Sequence, residues 1–120
     1  MLREFLKSKI HRATITEASL DYEGSIAIDE KLLKEAGILP NEFVQIYNIN
    51  TGDRFETYAI PAPENSRTIG LNGAAARLGQ PGDKVIIVSK VWLNDDELAN
   101  HKSIVLLMDD DNHIKKIEKK

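Results

Sequence analysis

Cysteine is absent from the chain, so no disulfide holds the fold; at 120 residues one hydrophobic core suffices without them. A cysteine-free composition fits a cytoplasmic protein. A basic stripe is missing too: 16 Lys and Arg stand against 19 Asp and Glu, a net charge of −3, which argues against a nucleic-acid partner. No apolar run approaches the length of a membrane span. The start, "MLREFLKSKIHR", carries charges throughout and has no apolar signal-peptide core. The three histidines, His11, His101 and His113, are far apart in sequence and form no ligand cluster. Asp109, Asp110 and Asp111 lack the alternating oxygen ligands and loop glycine of a calcium loop and read as a solvated turn. The expectation is one soluble domain over 1–120, with no metal, no nucleic acid and no membrane.

What is present is dominated by short strand patterns. "KIHRATIT" (9–16) is rich in β-branched residues; period 2 places Lys9, His11, Ala13 and Ile15 on one face and Ile10, Arg12, Thr14 and Thr16 on the other. A turn at Tyr22-Glu23-Gly24 leads into a short strand, "SIAI". In "DEKLLKEAGILP" Asp29 caps a helix with the stripe Leu32, Leu33 and Ala36, stopped by Gly37 and Pro40. "EFVQIYNI" (42–49) and "RFETYAI" alternate around the hairpin signal "NTGDR", and Pro61 and Pro63 end the returning strand. "TIGLNGAAARLGQPGD" reads as a short strand, a small-residue turn or helix, and a turn. "KVIIVSKVWL" is the most apolar segment, expected as the central buried strand. "DDELANH" reads as a helical turn, "SIVLLM" as a strand, and "HIKKIEKK" as a terminal strand or a frayed tail, its lysines solvated. Many short strands, small helices and Gly/Pro turns point to a mainly β fold, a small β-barrel.

Conventional catalytic motifs fail on inspection. "YEGSI" lacks the second glycine of a nucleophile elbow and its strand-turn-helix context. "LNGAAARLG" is too sparse for a dinucleotide fingerprint; its small side chains allow either close approach of backbone N–H groups to a ligand or a tightly packed helix start. Tyr22, Arg54, Thr57 and Tyr58 lie near turns and strand ends, where each alone has an ordinary structural reading.

Taken together, "KIHRATIT", "DYEGSIAID", "AGILPNE", "IYNINTGDRFETYAI", "LNGAAARLGQPGD" and "VIIVSK" resemble the pyruvoyl-dependent aspartate 1-decarboxylases, in the family's order and across the chain to about residue 90. The C-terminal stretch matches loosely. The resemblance implies a double-psi β-barrel with short helices, assembled as a homotetramer with sites shared between subunits. It implies self-cleavage between Gly24 and Ser25 into 1–24 and 25–120, with Ser25 converted to a pyruvoyl cofactor. L-Aspartate would form a Schiff base there, lose its α-carboxyl group as CO2 and leave as β-alanine, a pantothenate precursor.

Residue by residue, the resemblance makes Gly24 the cleavage-site carbonyl, Thr57 a self-processing residue that then borders the substrate, and Tyr58 the proton donor. Arg54 binds a substrate carboxylate through its paired donors. Lys9 and His11 add charge to the pocket; Asn72 and the Gly73-Ala74-Ala75 backbone hold the substrate; Tyr22 is a pocket wall. A maturation factor assisting the cut is a further partner to be tested for. Regular strand geometry sets Arg54 and Tyr58 on one face and Thr57 on the other, so the strand is irregular there or the residues serve different subunits. The competing expectation is a non-catalytic β-barrel that binds a small acid or a protein and never cleaves.

Overall fold

The computed structural model describes residues 1–120. In chain order its elements are β1 (Arg3–Thr14), β2 (Glu17–Ser19), β3 (Ile26–Asp29), α1 (Glu30–Ala36), β4 (Phe43–Asn48) and β5 (Arg54–Ala62). They continue with β6 (Ile69–Asn72), a 3-10 turn (Gly73–Leu78), β7 (Lys84–Leu93), α2 (Asp95–Leu98), β8 (Ile104–Met108) and β9 (Ile114–Lys119). The mainly β expectation holds. No helix is long and apolar enough to cross a membrane.

The nine strands form one mixed sheet in the order β2-β6-β3-β5-β4-β7-β1-β8-β9. The pairs β1/β8, β2/β6 and β3/β5 are parallel and the others antiparallel. β1 and β2 are nearly continuous in sequence yet stand seventh and first in that order, so the sheet must curl back on itself. Ile15 and Thr16 make the junction: the Ile15 N–H donates to the Asp83 carbonyl at 2.9 Å and the Thr16 N–H to the Ile69 carbonyl at 2.8 Å. The result is barrel-like, and its interior is filled by Ile10, Ile26, Ile28, Ile46, Ile69 and Ile87, all fully buried. β7 lies inside the sheet between β4 and β1, as its apolar run leads one to expect.

Two expectations are corrected and one open alternative is decided. First, β1 does not keep strict alternation. Arg12 has φ 67 and the β1/β7 register shifts between His11 and Ala13, the mark of a β-bulge. The extra residue returns Ala13 and Ile15 to the buried side with Ile10, so they do not share a face with Lys9 and His11. Second, Pro61 does not end β5, which runs on to Ala62 and pairs with β3 there. Ala59 exchanges hydrogen bonds with Asn41 and Glu42 on the β4 side. Pro61, two residues on, faces that same side after β4 has ended, so its missing N–H leaves no gap in a ladder. Third, of the two readings of the lysine-rich end, the terminal strand holds and the frayed tail does not: Ile114–Lys119 pair antiparallel with β8. The buried Asn112 side chain anchors this hairpin, accepting from the Thr14 N–H at 2.7 Å and donating to the Thr14 and Arg67 carbonyls at 2.8 and 3.0 Å.

α1 follows its sequence signals. The Asp29 carboxylate accepts from the Lys31 N–H, and Gly37 closes the helix in the left-handed conformation. The same carboxylate accepts from the Asn65 and Arg67 N–H groups at 2.9 and 2.8 Å, fixing the end of β3 to the loop before β6. Below α1, Lys7 Nζ donates to both Glu42 carboxylate oxygens at 2.8 and 2.7 Å, and the Ser89 hydroxyl donates to Glu42 as well.

Burial alone raises the Glu42 pKa, but the hydrogen bonds from Lys7, Ser89 and the Leu39 N–H, with the Lys7 charge, outweigh it and hold it below its ordinary 4.5. A folded-state value below the unfolded one stabilises the fold above pH 4.5 and is lost as pH falls through the folded value. Glu42→Gln is expected to cost about 1–3 kcal/mol at neutral pH, a gap that narrows below about pH 4. Thermal unfolding of both proteins across pH checks this; an equal deficit at pH 7 and pH 3 would refute the charge argument.

Candidate active site

β3 pairs with β5 only from Ala59 onward, through Ile26↔Ala59. The edge of β5 from Phe55 to Tyr58 is therefore uncovered on that side, and the two residues preceding β3, Gly24 and Ser25, lie beside it. A cavity of about 210 Å³ occupies the gap, and Gly24, Ser25, Thr57, Tyr58, Asn72, Ala74 and Ala75 line it with Phe55, Glu56 and Leu78. Because the cavity runs alongside β5 and not over one of its faces, Thr57 and Tyr58 both reach it. Thr57 and Tyr58 thus border one cavity despite their opposite orientations, while Arg54 does not line it.

Ser25 is buried, at 1% exposure, and its φ is 98, a conformation that L-residues other than glycine rarely adopt. Its carbonyl accepts from the Asn72 N–H at 3.0 Å, and the Asn72 amide Nδ2 donates weakly to the Ser25 hydroxyl at 3.4 Å. Gly24 is not among the glycines with positive φ, and a Cβ there would meet only Tyr58, at 3.9 Å from Oη. The unusual backbone torsion at this junction is therefore that of Ser25, not Gly24. Tyr58 packs edge-on against Phe43, with ring centroids 6.2 Å apart. The 3-10 turn closes the cavity: Asn72 precedes it in extended conformation, and Gly73 takes φ 62.

Lys9, His11 and Arg54 do not line this cavity. Register places them together on the sheet face that also carries Glu56 and Tyr58. Arg54 pairs with Tyr47, Tyr47 with Ile86, and Ile86 with His11, so the four share one sheet face, joined by Lys9 two residues from His11. The Arg54 guanidinium stacks over the Tyr47 ring at 3.7 Å. His11 has its pKa lowered, first by burial and then by the Lys9 and Arg12 charges, and its buried Nδ1 has no partner. The positive charge of this face therefore comes from Lys9 and Arg54. Tyr22 is exposed and borders a neighbouring groove that shares Asn72 with the cavity.

Sequence reasoning missed Glu56, Phe55 and Leu78 as cavity residues. Glu56 accepts a hydrogen bond from Gln45 Nε2 at 2.5 Å. Its signal was its place between two candidate residues on β5; Leu78 had none beyond following the small-residue run.

A model of the aspartate decarboxylase family matches residues 1–115. An aspartate 1-decarboxylase of Phenylobacterium zucineum is 59% identical over 116 residues, covering 97% of this chain and 98% of the relative. One of Caldicellulosiruptor bescii is 57% identical over 120 residues, covering 100% of this chain and 94% of the relative. One of Clostridium beijerinckii is 57% identical over 117 residues, at 98% and 94% coverage. Matched along nearly its whole length, with the Gly24-Ser25 junction set in a cavity, the chain belongs to the aspartate decarboxylase family.

Proposed function

We propose that the protein is an aspartate 1-decarboxylase that cuts its own chain between Gly24 and Ser25 and converts Ser25 to a pyruvoyl group, releasing β-alanine and CO2 from L-aspartate for pantothenate synthesis. The observation that carries this reading is Ser25 itself: a buried serine at φ 98, in a cavity with Tyr58, Thr57 and Asn72. The Ser25 hydroxyl adds to the Gly24 carbonyl, and the Gly24–Ser25 C–N bond breaks as a C–O ester forms. Loss of the Ser25 α-proton expels the Gly24 carboxylate by breaking the Cβ–O bond and leaves dehydroalanine. One water is then consumed and one ammonia released.

The residues fit such a group: the side chain is shielded from solvent, and Asn72 already holds the adjacent carbonyl. A pyruvoyl carbonyl supplies an electrophile for the substrate amine and an electron sink for the bond to CO2. Tyr58 delivers a proton to the carbon that loses CO2. Thr57, Asn72 and the 73–75 backbone border the substrate. Fragment 1–24 stays attached after the cut because β1 is hydrogen-bonded to β7 and β8, and β2 to β6.

Arg54 and Lys9 receive substrate carboxylates although neither lines the cavity of its own chain, which supports a homotetramer in which one subunit's basic side chains complete its neighbour's cavity. A double-psi barrel and a cytoplasmic setting accord with this reading. Intact-mass spectrometry is the test, alongside CO2 release from L-aspartate and L-glutamate. The expected result is two fragments split after Gly24, the larger lacking a free amino terminus, with release from aspartate. A homogeneous uncut chain after long incubation, alone and with cell extract to supply any maturation factor, would overturn the proposal.

A further inference from the structure

The Ser25 φ torsion is rotation about its N–Cα bond, so holding it at 98 requires a restraint on each side. On the carboxyl side the restraint is the Asn72 N–H on the Ser25 carbonyl, at 3.0 Å. On the amino side the neighbour is Gly73. A Cβ built on Gly73 would lie 2.8 Å from Gly24 N, 2.9 Å from Gly24 Cα and 2.9 Å from the Tyr22 carbonyl oxygen. Those are backbone atoms and cannot swing aside as a side chain would. Gly37, Gly52 and Gly82 also have positive φ, at 68, 83 and 96, yet a Cβ on any of them meets nothing within 4 Å. Gly73 alone of these is excluded from carrying a side chain by both conformation and space, and the space belongs to the segment that ends in the scissile carbonyl.

We propose that Gly73 is a positioning residue for self-cleavage: its bare Cα, packed against Gly24, and the Asn72 N–H on Ser25 hold the two ends of the strained Ser25 torsion. This rests on the self-cleavage reading above. A side chain at 73 pushes Gly24 away, Ser25 relaxes toward negative φ, and its hydroxyl loses its aim at the carbonyl. The sheet persists, because its ladders do not pass through the turn at 20–25.

Gly73→Ala and Gly37→Ala form a matched pair: their φ values, 62 and 68, impose the same conformational penalty, and only the first brings the contact with Gly24. The time course of cleavage, read by intact mass alongside melting temperature, separates them. Gly37→Ala is expected to cut at the wild-type rate and Gly73→Ala roughly 100-fold more slowly or not at all. Inserting one glycine between Glu23 and Gly24, in the exposed part of the turn, leaves Gly73 intact but slackens the contact, and is expected to slow the cut while the melting temperature holds. This second variant decides the matter if Gly73→Ala does not fold. Cutting of either variant within threefold of wild type, or equal slowing of Gly37→Ala, would overturn the inference while a cut wild type leaves the cleavage reading intact. An uncut wild type would overturn both.

Discussion

Ser25→Ala is expected to give a folded chain that stays whole and releases no CO2 from aspartate. The fold survives because Ser25 contributes little to it through its side chain: the hydroxyl has one long hydrogen bond, 3.4 Å from the Asn72 amide. The bond that ties the residue into the sheet, from the Asn72 N–H to its carbonyl, is a backbone one that alanine retains. Losing the hydroxyl leaves a buried amide donor with one partner fewer, a cost of about 1 kcal/mol. The chemistry does not survive. Without the hydroxyl no oxygen can add to the Gly24 carbonyl, and without a Cβ–O bond nothing can be eliminated to make dehydroalanine. Both the cut and the electrophile are lost together, so activity falls to background and not by a finite factor. Intact mass, melting temperature and CO2 release are the three readouts. An uncut but active variant would end the pyruvoyl mechanism; a cut variant would show that another group attacks Gly24.

How much of this was legible beforehand depends on the scale at which each feature is encoded. α1 was readable nearly to the residue because its signals are local: Asp29 accepts from a donor two residues on, and Gly37 takes the left-handed turn. The β4–β5 hairpin was readable for the same reason. The Arg12 bulge was not, since no glycine or proline marks it and it exists only relative to β7. Pro61 misled because the rule against proline in strands concerns a paired N–H, and whether β4 reaches that far is not written in residues 54–62. The terminal lysines left strand and frayed tail both open, because the partner and anchor that decide it, β8 and Asn112, lie in other segments.

The candidate site divides in the same way. Composition and spacing left "YEGS" as a turn; the resemblance to a family, and nothing local, singled out the pair. It then named Tyr58, Arg54, Lys9 and His11 alike, without saying that only the first of them lines the cavity of its own chain. The register of four strands aligns Arg54, Tyr47, Ile86 and His11 in one row, and none of the four lines the cavity. The positive φ of Ser25 was equally invisible, because glycine is the residue that sequence reasoning credits with unusual conformations.

Tyr58→Phe is expected to separate the two reactions of the site: cleavage at the wild-type rate, and a turnover number lower by about 10²–10⁴-fold, the range of a lost general acid. The ring's position does not depend on its hydroxyl. Tyr58 is held by strand pairing with Phe43 and by the edge-on contact with that ring, 6.2 Å between centroids at 67°, and phenylalanine keeps both. The melting temperature should therefore stay close to that of wild type. The hydroxyl lies beside Gly24: a Cβ built there would be 3.9 Å from it. On the proposed reading it protonates carbon once CO2 has left, a step in which the attack of Ser25 on Gly24 has no part. KM should change less than the turnover number, because the loss is confined to the transition state. Unchanged turnover would remove Tyr58 as the acid. Loss of cleavage along with turnover would reassign its hydroxyl to the Gly24 carbonyl, making it part of the machinery that creates the electrophile instead of the machinery that uses it.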